Sequence, residues 1–372
     1  MVRILGGTLS VFFLSINLLA QTPAPAPGPD TIVFTNGDKL AGKFISSSGS
    51  SLKFKSDALG DLTIDWSKVK ELNTSTKVAV LKKGVRLTRH SNPSTVPQGT
   101  LAVEGGNVQL AVPAQAPQSI PVADTNAIVD QPSFQKALEN SPGFTHGWTG
   151  AITLGGTLVK ATQDNETFSG AINLVRTEPS ESWMAPRNRT IFDFTASYGE
   201  LSQPGTPTVK TSIYHADVER DEYFTPRVYG FAAGAFDHNF SQGLDLQQTY
   251  GGGIGWTVVE GANQTLDLKG GVSYIRQQFE APPNQSLIGS TFAEHYRRKF
   301  KRGLIADQQL VFTPAWNDTS AYTAAFSTLF TLPVYKHLGA STGVIDTFLN
   351  DPPPGFRKNS FQYTLGLTYT LP

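Results

Sequence analysis

The sequence predicts an all-β chain: an antiparallel transmembrane β-barrel of about twelve strands behind a small N-terminal β-barrel or roll. Three observations predict it. Charged residues are 16% of the 372, against ~25% in ordinary soluble domains, and Gly, Ser, Thr, Asn and Gln fill the difference. Alternating segments recur from Phe144 to the C-terminus, with the two-residue period of strands whose successive side chains face opposite ways. A long apolar run occurs only at the extreme N-terminus, which excludes a helical membrane bundle.

Residues 1–20 read as a cleaved signal peptide. Arg3 supplies the positive start, Ile4 to Leu19 the apolar stretch, and Ala20 the small residue before the cut. Residues 21–29, QTPAPAPGP, form a Pro/Ala-rich spacer that favours extended conformations. Residues 30–112 read as a small periplasmic β domain. Its short runs IVF, KFI, LKF and LTIDW are separated by Asn36-Gly37-Asp38, Ser48-Gly49-Ser50 and Leu59-Gly60-Asp61, and such Gly-centred breaks supply the positive φ of tight hairpins. Two further runs, Val78 to Leu81 and Leu101 to Val112, complete it. Residues 113–143 read as a linker with one short helix: Asp130 caps it, Pro132 sits in its first turn, and SFQKALEN follows.

Residues 144–372 carry the barrel. Twelve segments are expected near 148–160, 166–177, 189–200, 208–220, 227–238, 245–258, 264–279, 290–302, 304–314, 320–332, 336–348 and 359–371. Their spacing, about 19 residues per strand and turn, suits membrane strands of ~9–11 residues with overhangs. In the last, Phe361, Tyr363, Leu365, Leu367, Tyr369 and Leu371 share one face, opposite Gln362, Thr364, Gly366, Thr368 and Thr370. Charges such as Asp193, Asp267 and Lys269 fall on the face without aromatics. The segment 290–302 resists this pattern, because Arg297, Arg298, Lys299, Lys301 and Arg302 crowd both of its faces. A charge at the bilayer midplane costs roughly 2–4 kcal/mol, so either the strand extends well past the membrane, with its basic half at the lipopolysaccharide or lumen level, or the register of this segment differs. These five residues are the candidate site, a cluster for anionic lipid headgroups or the mouth of an anion pathway.

Other chemistry is sparse. With 30 basic and 30 acidic residues no global field attracts nucleic acid, and with no cysteine there is neither disulfide nor thiolate site. The six histidines, at 90, 146, 215, 238, 295 and 337, form no H-x-x-x-H pair and read as lumen or loop residues. Asp237 and His238 are adjacent and so face opposite ways. An outer-membrane hydrolase would place Ser, His and Asp or Asn on neighbouring strands near one rim; residues such as His215 and Ser212 are candidates, but Ser, Asn and His are abundant in any polar lumen and no G-x-S-x-G is present. Gly251, Gly252, Gly253 and Gly255 lack the lysine of a phosphate loop and read as packing glycines. Gly230-Phe231 and Gly255-Trp256 read as packing pairs, and Asp221-Glu222 and Asp57 to Asp61 lack the periodicity of a calcium loop. No cofactor and no catalytic residue are expected.

The run NDPPPGFRKNS at Asn350 to Ser360, leading into FQYTLGLTYTLP, resembles the end of the salt-induced outer-membrane protein family, known in bacteria as a domain of unknown function. GWTGAITLGGT at Gly147 to Thr157, YFTPRVYGFAAGAFDHN at Tyr223 to Asn239 and TYGGGIGWTVV at Thr249 to Val259 are similar to it as well. Residues 31–72 resemble the small β module that often precedes such barrels. The resemblance implies an outer-membrane barrel and no established activity. Family barrels commonly end on an aromatic residue, whereas here Tyr369 is followed by Thr370, Leu371 and Pro372. The expectation is a structural or narrow-pore protein of the outer membrane, linked to salt or envelope stress. Its expected partners are outer-membrane lipid and lipopolysaccharide, the barrel assembly machinery and a periplasmic partner of residues 30–112. An outer-membrane hydrolase with a rim active site and a secreted soluble carbohydrate-binding β-protein are the alternatives.

Overall fold

A computed structural model describes residues 28–48, 50–85, 87, 91–111, 117–139, 143–160, 164–181, 183–202, 205–261 and 263–371. The signal peptide expected at 1–20 and most of the spacer lie outside them. The chain divides into two compact units, one of residues up to Val80 with Val96–Gln131, the other of Leu81–Thr95 with everything from Pro132.

The first unit is a rolled nine-stranded sheet. Its strands are β1 (Asp30–Phe34), β2 (Lys39–Ser48), β3 (Ser51–Ser56), β4 (Gly60–Asp65), β5 (Val69–Lys82), β6 (Gln98–Glu104), β7 (Asn107–Ala111), β8 (Gln118–Pro121) and β9 (Thr125–Asp130). Their order is β4-β3-β2-β1-β5-β6-β7-β8, with β9 pairing β2 and β5. Alternate side chains fill the interior, among them Ile32, Phe44, Phe54, Leu72, Leu110 and Ile128, all at most 1% exposed. Asp30 is buried and ties three strands: its carboxylate accepts from the Phe44 amide at 2.8 Å, and from the Ser75 amide at 2.7 Å and hydroxyl at 3.0 Å.

The expected boundary at 112 is corrected here. Strands β8 and β9 lie in the stretch read as linker, so the sheet ends at Asp130, and residues 81–95 leave this unit for the other. The sequence pattern fails at β9 because four consecutive residues, Ala127 to Asp130, are buried, and a strand covered on both faces shows no alternation. Helix α1 (Gln131–Glu139) follows directly.

The second unit is a closed barrel of twelve strands, each paired antiparallel to the next and the last to the first. They are β10 (Trp148–Lys160), β11 (Asp164–Glu178), β12 (Asn188–Ser202), β13 (Val209–Tyr223), β14 (Val228–Asn239), β15 (Leu244–Gly261), β16 (Gln264–Phe279), β17 (Gln285–Lys299), β18 (Ile305–Pro314), β19 (Tyr322–Tyr335), β20 (Leu338–Leu349) and β21 (Asn359–Thr370). Closure removes every free strand edge from the barrel wall. On the outside, large apolar residues stand uncovered: Phe361, Tyr363, Leu365 and Leu367 are 61–66% exposed, and Phe168, Ile254, Trp256, Val272 and Phe292 repeat this around the wall. Such a continuous apolar band exceeds the patches that soluble monomers leave exposed.

The difficult segment resolves through a correction of its bounds, its two faces being as the alternation assigns them. Strand β17 runs from Gln285 to Lys299 rather than 290–302, because Phe300 to Leu304 form a hairpin in which Arg302 adopts φ 65° and Gly303 φ 82°. Phe292, Glu294, Tyr296 and Arg298 face outward, while His295, Arg297 and Lys299 face the lumen. Outward Glu294 accepts a hydrogen bond from Gln308 Nε2 at 3.3 Å.

Both barrel termini lie at one end. At that end the connection 179–187 is covered from within its own unit. Phe134 of α1 stacks on Trp183 at 5.5 Å, and Leu87 pairs with Met184, the Ala185 amide donating to the Leu87 carbonyl at 2.8 Å.

Candidate functional site

Strand parity places two different sets of polar residues, one in the lumen and one on the outer wall. In the lumen, Arg189 of β12 donates to Asp221 of β13 at 2.6 Å and to Asp267 of β16 at 2.8 Å. Strands β12 and β16 are separated by three others, so the second contact is a chord across the lumen. Thr257 Oγ1 donates to Asp267 at 2.6 Å, and the Arg189 guanidinium lies 5.0 Å over the ring of Tyr229, itself fully buried. One layer further from the termini, Lys269 of β16 pairs with Glu219 of β13, again across the interior, and lies over Phe231.

The glycine run makes this filling possible. Gly251, Gly253 and Gly255 point inward on β15, and a methyl group at Gly255 would overlap the ring of Tyr229. The sequence reading of these residues as packing glycines is what the geometry shows. A third layer holds His215, whose Nδ1 meets Asp237 at 2.6 Å and whose Nε2 meets Asp217 at 2.9 Å. Gln247 donates to Asp237 at 3.1 Å, and the buried Gln277 to Gln247 at 2.7 Å. Asn173 hydrogen-bonds Asp193 in the same lining. Among the described residues no group of three or more His, Asp or Glu is arranged to hold a metal ion.

The mouth away from the termini is crossed along a diameter. Asn239, at the end of β14, donates to Thr347 Oγ1 of β20 at 3.3 Å, six strands away. In the connection that follows, Gln242 is buried and donates to the carbonyls of Thr347 at 3.0 Å and Lys358 at 2.8 Å. Gly243, at φ 64°, accommodates the ring of Phe356. Leu244, Phe279 and Leu349 pack together beneath, from β15, β16 and β20. Away from the charged layers, on the side of β10 to β12 and β21, a cavity of about 220 Å³ is lined by Gly156, Thr167, Ser169, Ser197, Gln362 and Thr364 among others.

On the outer wall, Ser212 Oγ and His238 Nε2 are 2.8 Å apart, and His238 Nδ1 faces the Asp245 carbonyl at 2.7 Å. This corrects one sequence expectation: His238 is neither a lumen nor a loop residue. Of the two hydrolase candidates, Ser212 meets His238, and His215 points inward.

The basic cluster lies in and beside the β17–β18 hairpin, at the end that carries the termini. Arg297 faces in and donates to Asp307 at 3.3 Å, beside His295, which meets the same carboxylate at 3.0 Å. Arg298 faces out over Phe300 at 5.0 Å, and Lys299, Lys301 and Arg302 are exposed. His146 and His337 occupy connections, and His90 lies outside the described residues.

The sequence reading missed Arg189, Glu219 and Asp221 as one assembly. Their shared inward parity was legible, but their meeting depends on which strands face each other across a closed barrel. No curated protein matches the chain. Among solved structures, the beta domain of the Bordetella autotransporter BrkA is similar with a TM-score of 0.31 at 10% identity, covering 61% of this chain and 98% of that one. Residues 152–371 match the family described as "Protein of unknown function, DUF481", a match that begins within β10 and runs through β21, and the chain belongs to that family.

Proposed function

We propose that this protein is an outer-membrane barrel of the bacterial envelope whose lumen is shut at rest. The observation that carries this is the pairing of a continuous apolar outer wall with a lumen crossed by Arg189–Asp267, by Lys269–Glu219 and by the Asn239–Thr347 and Gln242 contacts. An apolar exterior on a closed barrel meets lipid at no backbone cost, and a lumen spanned by paired charges is a wall to ions rather than a path. The termini face the periplasm in this reading, as in barrels with an even number of strands and short periplasmic turns. The nine-stranded module is then periplasmic and available to an envelope partner. The sequence resemblance adds a role in salt or envelope stress, which growth of a deletion strain in high salt tests.

The decisive measurement is planar-bilayer conductance of the refolded full chain. The wild type should insert, migrate in a heat-modifiable way on gels and stay nearly silent. N239A/Q242A combined with the charge-removing R189M/D221N/D267N and K269M/E219Q changes, which removes all three crossings, should show discrete reversible steps. A large steady wild-type conductance would replace the shut barrel by an open pore, and a chain released from membranes by carbonate washing would end the membrane reading.

A further inference from the structure

We propose that Ser212 and His238 form a lipid-facing nucleophile–base pair that cleaves acyl esters of membrane lipids. Both side chains lie on the outward face: His238 pairs in register with outward Tyr214, and Ser212 is the next outward residue along β13. They sit near the end of the barrel opposite the termini, Ser212 three residues into β13 and His238 one residue from the end of β14.

The tautomer is fixed by a backbone irregularity. Leu244 and Leu246 of β15 oppose Phe279 and Gln278 of β16, which leaves Asp245 as an extra residue, and the β14 ladder shifts at the same place. Such a bulge releases a backbone group from the ladder and re-aims it. The Asp245 carbonyl, which only accepts, takes the hydrogen of His238 Nδ1 at 2.7 Å. Nε2 therefore presents its lone pair, and the Ser212 hydroxyl donates to it at 2.8 Å. Tyr214 stacks on the imidazole, with ring centroids 5.6 Å apart, and holds its plane. A nucleophile in hydrogen-bond reach of a base that a third group orients is the arrangement for covalent catalysis.

Depth selects the substrate class. Outward Tyr198, Tyr214, Phe236 and Tyr250 surround or underlie the pair, and aromatic girdles mark the boundary between hydrocarbon and headgroups. Acyl esters of membrane lipids lie at that boundary in either leaflet. The next outward residue on β13, Lys210, is exposed and 3.6 Å from Glu200, and presents an ammonium to an anionic headgroup.

The chemistry closes without a co-reactant other than water. Ser212 Oγ bonds to the ester carbonyl carbon as His238 Nε2 takes its proton. The bond from that carbon to the glycerol oxygen breaks, and the oxygen leaves with the proton as a lysolipid. Water then attacks the acyl-serine, His238 takes a proton from it and returns it to Ser212, and a fatty acid departs.

The test uses the full chain refolded into vesicles of phosphatidylethanolamine and phosphatidylglycerol with a labelled acyl chain. Fatty-acid release should exceed that of empty vesicles, and a fluorophosphonate probe should label Ser212. The S212A and H238Q variants, checked for heat-modifiable migration, should lose at least about 100-fold of the release, the scale of general-base catalysis. S286A, at an outward serine that accepts from Tyr274 at 3.4 Å, should match the wild type. Wild-type release no greater than empty vesicles with Ser212 unlabelled, or undiminished release by S212A, would overturn the assignment.

Discussion

Arg189 and Asp267 meet at 2.8 Å across the barrel interior, from strands that are not paired with each other in the sheet. The guanidinium also serves Asp221, so one cation neutralises two buried carboxylates on different walls. Its removal leaves both unpaired, and breaking a buried pair by deleting one partner costs roughly 3–5 kcal/mol. The R189A variant should therefore unfold from vesicles at clearly lower urea concentration, with a loss of that order. D221N/D267N/R189M, which removes all the charges together, should recover most of the loss, because the penalty belongs to the uncompensated charges. Equal destabilisation of the two variants would show that packing rather than charge pairing dominates there.

Gly255 and Tyr229 make a second coupled pair. A Cβ at 255 has no room beside the phenol ring, so G255A forces the ring or the strand to move, at about 1–3 kcal/mol for an overfilled interior. The Y229A/G255A double variant should show less than the sum of the single losses, since the obstructing ring is gone and residues in contact are not additive. A double-mutant cycle on equilibrium unfolding measures this directly, and strict additivity would exclude the contact.

The legible part of this molecule is its periodic part. The barrel strands follow the segments expected from alternation because each has one face against the interior and one outside, as in Phe361 to Tyr369. Strand β17 was displaced because charge was read as a strand extension, whereas the positive φ at Arg302 and Gly303 turns the chain at Lys299. Strand β9 hid in a stretch of mixed Ala, Pro and Asp because burial on both faces erases period two. The lumen charges could be assigned a face but not partners, since β12 meets β16 only when the sheet closes. The Ser212–His238 contact was missed for a related reason: it depends on the extra residue at Asp245, and a bulge leaves no mark in hydropathy.

Within the module, Asp30 is the residue most exposed to test. Its carboxylate satisfies the Phe44 and Ser75 amides and the Ser75 hydroxyl from a site 2% exposed. D30A strands the buried Phe44 amide and unties β1 from β2 and β5, a loss of about 2–4 kcal/mol given the cost of unsatisfied buried donors and of charge-assisted bonds. Hydrogen exchange on the full chain should show faster exchange through residues 30–48 and 69–80, with the barrel amides unchanged. Unchanged protection of the Phe44 amide would refute the tie.

The basic hairpin makes the last prediction, and it concerns which leaflet the cluster meets. Outward Arg298, Lys301 and Arg302 are exposed beside Phe300 at the end of the barrel that carries its termini. If that end is periplasmic, the cluster lies at the inner leaflet, whose anionic lipids are phospholipids rather than lipopolysaccharide. Each cation near an anionic surface contributes roughly 1 kcal/mol, about fivefold in binding, and the effect fades within a Debye length. An R298Q/K301Q/R302Q variant should therefore bind phosphatidylglycerol vesicles far less tightly than the wild type at low salt, and both should converge in about 0.5 M salt, where screening is short-ranged. In oriented membranes, a reagent confined to the outer face should leave a cysteine at position 301 unmodified, a clean readout because the chain has no other cysteine. Labelling from the outside would invert the barrel and move the cluster to the lipopolysaccharide leaflet.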